Sequence, residues 1–307
     1  MCASEEARVP VHATRGCMVT LKKILFPTDF SSNANHALSH AIRLTRFNKG
    51  ELIVQHVVST YFEGYPHWST LFDLHELQKH MDNYVDQQMP RILPDDMAEI
   101  RIRNVISRGK PAEEIAALAQ KELADLVVMG SARGVITAKV IRLTNRPVMA
   151  ITMHGPGNTG DALRPVRRIL VATDFSEHSK QVLQYAFELK QMFNAAIYML
   201  YVIEPMKAVR FGLQQAYFTG RVEKMKQWAE NQLVNLTPDE FMDDPAVFRI
   251  IDTGTPGDCI ASVADNIGAD ITILGTHEYG TIHRHLLGTT TGKLLTRTSR
   301  PVLAVKL

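Results

Sequence analysis

Near the end of the chain, Gly288 is followed by Thr289, Thr290 and Thr291 and then by an apolar segment with helical spacing. Backbone N–H groups at the start of a helix lack partners and carry the positive end of the helix dipole, so they attract anions. A glycine at that point lets an anion approach the backbone closely, and the threonine hydroxyls add donors. This segment therefore predicts a site for phosphate groups.

The spacing in this segment differs from that of a P-loop. Three residues separate Gly288 from Gly292 where a P-loop has four, and Leu294 follows Lys293 where a serine or threonine would bind magnesium. The chain also lacks a GxGxxG sequence after its first apolar segment. A dinucleotide-binding dehydrogenase therefore has no support.

The sequence contains an internal repeat. Residues 24–31, Ile-Leu-Phe-Pro-Thr-Asp-Phe-Ser, return at 169–176 as Ile-Leu-Val-Ala-Thr-Asp-Phe-Ser, 145 positions later. Near the end of each copy the offset is 154 positions, because Arg146-Pro147-Val148 matches Arg300-Pro301-Val302. The first copy therefore lacks nine residues that the second copy has.

Each copy alternates short apolar segments with amphipathic ones, which is typical of βαβ units around a parallel sheet. The pattern predicts an α/β fold of two tandem doubly wound domains, each a five-stranded parallel sheet with helices on both faces. The predicted strands are 23–28, 51–57, 100–106, 125–129 and 147–152 in the first copy, and 168–173, 196–202, 246–252, 270–274 and 301–306 in the second.

Four regions follow from this organisation. They are a flexible N-terminal extension (1–20) without periodicity, a first domain (21–153), a linker rich in turn-forming residues (154–165) and a second domain (166–307). Two domains also fit a chain of 307 residues. In addition, the segments 60–90 and 206–236 carry aromatic residues and methionines at helical spacing, which predicts helices that cover the core.

In an open parallel sheet, ligands bind beyond the carboxyl ends of the strands, where the strand order reverses. Asp174 follows the first strand of the second copy and also precedes a helix, where a short polar side chain can cap unpaired N–H groups whatever the domain binds. The candidate residues at these strand ends are Ala172, Thr173, Asp174, Val202, Leu274, Gly275 and His277. Together with Gly288 and residues 289–291 they form the predicted ligand site.

The order Gly275, two residues, Glu278, nine residues and then Gly288-Thr289 resembles the universal stress protein family. ATP-binding members of that family have Gly-x2-Gly-x9-Gly-Ser/Thr after the fourth strand, and an aspartate at the end of the first. The resemblance covers both copies, so the chain is similar to the tandem members of the family.

The resemblance implies a role for each group of site residues. Asp174 would contact the adenosine moiety, and Val202 would contact the adenine through its backbone. The phosphates would meet His277, Gly288, Thr289 and Thr290.

Two features depart from the family's pattern. Glu278 stands where the motif has its second glycine, and a carboxylate near a triphosphate repels it unless a cation intervenes, so we expect weakened ATP binding in the second copy. The first copy has Gly130-Ser131-Ala132-Arg133-Gly134, and its nine missing residues remove the second glycine and its hydroxyl. We expect this loop to be degenerate and not to bind ATP in the same way.

Histidines raise the alternative of a metal site. His277, His283 and His285 are close in sequence, and His36 and His40 are one helical turn apart. Zinc is less favoured than ATP with magnesium, because structural zinc takes four ligands and no cysteine cluster accompanies these histidines. The sequence shows no Ser-His-Asp or Cys-His set, so enzymatic activity stays open, with slow ATP hydrolysis as the one candidate reaction.

The composition narrows the classes of binding partner and the cellular compartment that we expect. A formal net charge of +2 gives no broad field for nucleic acid or an anionic membrane, and three cysteines without a CxxC pair fit a reducing cytosol. No apolar segment is long enough to span a bilayer. We therefore expect a cytoplasmic protein that binds neither nucleic acid nor membrane.

These observations predict a cytoplasmic stress-response protein whose second copy binds ATP and acts as a nucleotide-dependent switch or interaction module. The alternatives are a nucleotide-free scaffold in which both sites have decayed, and a zinc-binding or slowly ATP-hydrolysing variant. The protein partner is unknown. The family resemblance implies that the copies pair through their last strands as an intramolecular pseudo-dimer, or that two chains form a homodimer.

Overall fold

The computed structural model describes most of both copies. The described ranges are 19–59, 79–80, 83–84, 87–88, 91–92, 100–131, 134–152, 165–204, 215–276 and 289–306, without the side chains of 215–221 and 289. The predicted extension and linker lie almost entirely outside these ranges. Val19 and Thr20, which the sequence analysis placed in the extension, contact the folded chain: the Val19 N–H donates to the Glu188 carboxylate and the Thr20 hydroxyl donates to Asp125. The folded part therefore includes Val19 and Thr20.

In the first copy, the helix ends follow local sequence signals. Ser31 caps the first helix by accepting a hydrogen bond from the Ala34 N–H, and Pro111, which has no N–H to satisfy, begins the second. The described elements are β1 (Lys23–Thr28), α1 (Ser32–Asn48), β2 (Glu51–Ser59), β3 (Arg101–Gly109), α2 (Pro111–Lys121), β4 (Leu126–Gly130), α3 (Val135–Leu143) and β5 (Val148–Ile151).

The second copy uses the same signals. Ser176 caps its first helix by accepting from the Ser179 N–H, and Pro256 stands at the start of a later one. The described elements are β6 (Arg168–Thr173), α4 (Glu177–Phe193), β7 (Ala196–Ile203), α5 (Gln215–Asn235), a 3-10 turn (Asp239–Phe241), β8 (Val247–Thr253), α6 (Pro256–Ile267), β9 (Ile271–Gly275), α7 (Thr289–Arg297) and β10 (Val302–Val305). Each predicted strand is present, with ends shifted by at most three residues.

The described strands form one ten-stranded sheet with the order β3-β2-β1-β4-β5-β10-β9-β6-β7-β8. All pairs within a copy are parallel, which confirms the predicted doubly wound domains. The copies join through β5 and β10, which pair antiparallel, with Leu303 opposite Met149. This junction confirms the expected pairing of the two last strands within one chain.

The sheet is buried on both faces. Ile24 and Phe26 point into the layer that contains α1 and α4, whereas Leu25 points into the layer that contains α2 and α6. All three side chains are fully buried. Near-continuous apolar strands are what a parallel sheet covered by helices requires.

The amino ends of the first strands are fixed by the same contact in both copies. The Asp125 carboxylate accepts from the N–H groups of Lys22 and Lys23, and Asp270 accepts from those of Arg167 and Arg168. The repeat found in the sequence therefore also appears as a repeat of these hydrogen bonds.

No helix in the described ranges is long and apolar enough to cross a membrane.

Candidate functional site

The reversal of strand order in the second copy lies between β6 and β9. β6 pairs with β9 as far as Val171 and Ile273, and it pairs with β7 on its other side through Thr173 and Tyr201. Asp174 follows β6 directly, so the structure places it at the carboxyl edge where doubly wound domains bind ligands.

Asp174 is exposed and belongs to a tight turn. Its Oδ1 accepts from the Ser176 N–H at 3.0 Å and from the Ser176 hydroxyl at 2.6 Å. Ser176, rather than Asp174, is the N-cap of α4. The capping role that the sequence allowed for Asp174 therefore belongs to Ser176.

Gly275 ends β9 in close contact with the first turn of α4. A β-carbon built on Gly275 would lie 2.8 Å from His178 Cδ2 and 3.2 Å from Val182 Cγ2. The glycine is thus required for packing, which is a structural reason for its presence beside the predicted binding role. Its counterpart Gly130 is packed still more tightly, because a β-carbon there would lie 2.5 Å from the Asn33 carbonyl oxygen.

The remaining strand-end candidates differ in accessibility. Ala172 and Val202 are partly buried and pack against the layer that contains α2 and α6. Thr173 is buried at 7% exposure, and Leu274 is a core residue at 4%. Of these side chains, Ala172 and Val202 are the ones accessible to a ligand.

The last helix begins where the phosphate site was predicted. α7 starts at Thr289, carries no acidic residue in its first turn, and places Thr290 in a half-buried position and Thr291 in a buried one. α7 packs closely on α6, because a β-carbon on Gly257 would lie 2.9 Å from Lys293 Cβ. His277, Glu278, His283, His285 and Gly288 lie outside the described residues.

The corresponding helix of the first copy shows what the shorter loop changes. α3 has the same nine-residue length as α7 and begins 154 positions earlier. Gly134 precedes it in the left-handed region (φ 71°), so this glycine is retained before the helix. Val135 and Ile136, exposed at 74% and 45%, replace the hydroxyls of Thr289 and Thr290.

Aromatic residues surround the turn after each first strand. Phe175, in the left-handed region, stacks on Tyr201 with ring centroids 4.4 Å apart, and Trp228 of α5 meets its edge at 5.2 Å. Burial raises the pKa of Tyr201, with a further contribution from Asp174. α5 also buries Leu233 in the core. This part of the segment 206–236 therefore covers the core, as predicted.

The first copy repeats this arrangement with a histidine. Phe30 stacks on His56 at 4.7 Å, and Tyr84 meets its edge at 6.0 Å. His56 Nδ1 lies 2.8 Å from the Thr28 carbonyl oxygen, and burial lowers the pKa of His56. This contact fits a neutral His56 imidazole whose Nδ1–H donates to the Thr28 carbonyl oxygen.

His36 and His40 are neighbours on α1, with ring centroids 5.5 Å apart. In the described ranges, no group of three or more histidine, cysteine, aspartate or glutamate side chains is arranged to hold a metal ion. His40 is buried, and its pKa is lowered to about 3, mainly by burial and then by Arg43 and His36.

His178 and Ser179 were not among the residues that the sequence predicted for the site. Both lie in the first turn of the helix that follows Asp174. The position of that turn beside the strand ends is the sequence signal that could have identified them.

The fold defines a tandem doubly wound α/β protein, in which Asp174 lies at the carboxyl edge of the sheet where such domains bind ligands. The model of the universal stress protein family matches residues 20–152 and 165–306. The chain therefore belongs to the universal stress protein family, as a tandem member.

Individual relatives agree with this assignment. A universal stress protein of Methanocaldococcus jannaschii is 26% identical over 155 residues, covering 43% of this chain and 96% of the relative. A universal stress protein structure from Archaeoglobus fulgidus covers 93% of this chain and 98% of its own, with 19% identity and a TM-score of 0.67. A putative universal stress protein structure from Pseudomonas aeruginosa covers 94% and 95%, with 15% identity and a TM-score of 0.56. The two structures share the fold across both copies.

Proposed function

We propose that the chain is a cytoplasmic stress-response protein whose second copy binds ATP with magnesium, and that binding acts as a switch for an unidentified protein partner. The observation that carries the proposal is the exposed Asp174 at the reversal between β6 and β9. The start of α7, which follows β9 in the chain and has no acidic residue in its first turn, supports it. A carboxylate suits the donor groups of a nucleoside, and a helix start suits its phosphates.

The residues present fit the two ends of such a ligand. Asp174 would accept from hydroxyl or amino groups at the adenosine end, beside Ala172 and Val202. Thr290 and the first N–H groups of α7 would face the phosphates. Magnesium is usually held by one or two carboxylates together with phosphate oxygens, so the triphosphate itself would supply much of its coordination.

The two copies support an asymmetric function. Val135 and Ile136 at the start of α3 correspond in sequence to Thr289 and Thr290 at the start of α7. Exposed apolar side chains offer no donors to a phosphate. We therefore infer that the first copy does not bind ATP in the manner of the second.

The same exposed side chains favour the alternative of a scaffold that works through protein contacts. Val135, Ile136 and Leu143 are exposed at 74%, 45% and 46%. A scaffold of this kind would need no nucleotide, and both ligand sites would be relics of the family.

Isothermal titration of the full chain with Mg-ATP tests the proposal. We expect one ATP per chain, with binding weakened by Asp174→Ala and unchanged in the matched variant Asp29→Ala of the first copy. The loss in the second-copy variant should be about 1–3 kcal/mol, as for a polar group left without its partner. A parent that binds no ATP would support the scaffold, and equal losses in both variants would contradict the asymmetry.

A further inference from the structure

A chain of hydrogen bonds, which passes through the backbone and side chain of Ser176, links the end of β6 to Asp174. The hydroxyls of Thr173 and Ser179 are 3.0 Å apart, and the Ser179 hydroxyl also lies 2.9 Å from the Ser176 carbonyl oxygen. The Ser176 hydroxyl in turn lies 2.6 Å from Asp174 Oδ1. Thr173 and Ser179 are buried at 7% and 4% exposure, whereas Asp174 is at the surface.

Each hydroxyl has one proton, and the contacts fix a single direction for this chain. The Ser176 carbonyl can only accept, so Ser179 donates its one proton there, and Thr173, which accepts from the Phe175 N–H, donates to Ser179. The Ser176 oxygen accepts from the Ser179 N–H, and its own proton goes to Asp174 Oδ1. The hydroxyl protons of Thr173, Ser179 and Ser176 are therefore each donated to an acceptor in this chain of hydrogen bonds.

The first copy has the same octapeptide ending but lacks part of this chain. Ala34 occupies the position of Ser179, so Thr28 has no hydroxyl partner on α1. The Ser31 N–H still donates to Asp29 Oδ1 at 3.0 Å, and the Ser31 hydroxyl accepts from the Ala34 N–H at 3.3 Å. In the described part of the first copy, however, the Ser31 hydroxyl makes no hydrogen bond with the Asp29 carboxylate.

N-capping alone does not account for the difference. Both Ser31 and Ser176 cap their helices, and both aspartates accept from the N–H two residues later. The second copy adds two contacts: the Ser179 hydroxyl, which holds the Ser176 carbonyl, and the Ser176 hydroxyl, which holds the Asp174 carboxylate. Both additions lie in the turn that carries Asp174.

We propose that Ser179 and Ser176 are positioning residues that fix the Asp174 carboxylate for a nucleoside ligand in the second copy. The inference rests on the proposed function. Ser179 holds the turn through the Ser176 carbonyl, and Ser176 then fixes Asp174 Oδ1 with two bonds. A carboxylate held in one orientation accepts from a ligand hydroxyl or amine without first losing its own freedom. The copies therefore differ at the nucleoside end as well as at the phosphate end.

A double-mutant cycle on the full chain tests this proposal, with Mg-ATP affinity measured by isothermal titration. The variants are Ser179→Ala, Asp174→Ala and the double variant. Ser179→Ala should keep the fold, because alanine occupies the equivalent position 34. Thr272→Val is the matched control, since it removes a hydroxyl that is fully buried in β9 outside this chain of contacts.

We expect Ser179→Ala to weaken ATP binding about three- to tenfold, as for loss of one supporting hydrogen bond. Asp174→Ala should weaken it further, and the double variant should match Asp174→Ala because Ser179 acts only through Asp174. Thr272→Val should bind like the parent.

Three results would overturn the proposal. In the first, the two losses multiply in the double variant, which would make Ser179 independent of Asp174. In the second, Ser179→Ala binds like the parent, or Thr272→Val loses as much affinity as Ser179→Ala. In the third, the parent binds no ATP, and the proposed function then fails together with this inference. If the parent binds ATP but the two losses of affinity multiply, the proposed function holds and only this inference fails. The two failures are therefore distinguishable.

Discussion

The imidazole of His178 lies against Gly275, so that a β-carbon on this glycine would be 2.8 Å from His178 Cδ2. The contact joins the end of β9 to the first turn of α4, beside the candidate site. Packing within the domain therefore requires glycine at this position of the family's motif, in addition to any requirement from the ligand that it is expected to contact.

We expect Gly275→Ala to lower the free energy of unfolding by about 1–3 kcal/mol, because an added methyl group overpacks this contact. Removing the ring in the double variant Gly275→Ala/His178→Ala should recover part of the loss. Gly130→Ala should cost more, since its β-carbon would meet the Asn33 backbone, which cannot rotate away. Chemical denaturation checks the ranking, and a Gly275→Ala protein as stable as the parent would contradict it.

Replacing Glu278 by glycine should tighten Mg-ATP binding. Glu278 stands where the ATP-binding members of the family have glycine, and its carboxylate is expected near the phosphates. Isothermal titration measures the change, and Glu278→Gln separates the charge from the size of the side chain. Weaker binding in both variants would mean that Glu278 helps to hold the cation.

Trp228 should report on ligand binding through its fluorescence. It contacts the edge of Phe175, the residue directly after Asp174, and 47% of its surface is exposed. The chain has two tryptophans, so Trp68→Phe leaves Trp228 as the single emitter. In this background, Mg-ATP should change the emission, and Asp174→Ala should abolish the change. A signal that survives Asp174→Ala would place the ligand elsewhere.

Acid should destabilise the protein through His40. Burial lowers its pKa from an ordinary value of 6.5 to about 3, so the unfolded chain binds a proton that the folded protein does not. Stability is therefore lost as the pH falls from about 6.5 towards 3, by at most about 1.4 kcal/mol per pH unit.

The variant His40→Gln should reduce this slope, because it removes the titrating ring while an amide oxygen can still accept from Arg43, which lies 3.3 Å from His40 Nδ1. Urea denaturation between pH 6.5 and 4.5 measures the slope in both proteins. Measurements at pH 8 show the effect of the substitution apart from titration. An unchanged slope would assign the acid sensitivity to other groups.

The sequence determined the elements and their repetition. Apolar spacing located each strand to within a few residues, because this signal acts between residues that are close along the chain. The repeated Thr-Asp-Phe-Ser also predicted the same turn twice, and Phe30 and Phe175 adopt it with nearly equal φ angles of 60° and 62°.

The sequence did not reveal which residues stand beside the candidate aspartate. His178 meets Gly275, and Ser179 meets Thr173, only once α4 lies across the ends of β6 and β9. Those contacts depend on the side-chain directions in a packed helix, which a periodic pattern does not define.

The family resemblance implied that the last strands pair, but only the tertiary structure decided the direction and register of that pairing and how accessible each site residue is. The pairing of Met149 with Leu303 joins the two sheets into one, across 154 residues of chain, and it depends on the copies facing each other about an antiparallel strand pair. The same folding buries Leu274 and Thr291 and leaves Asp174 and Val135 exposed. Local residue patterns specify local hydrogen bonds, whereas burial and long-range pairing arise when distant elements pack together.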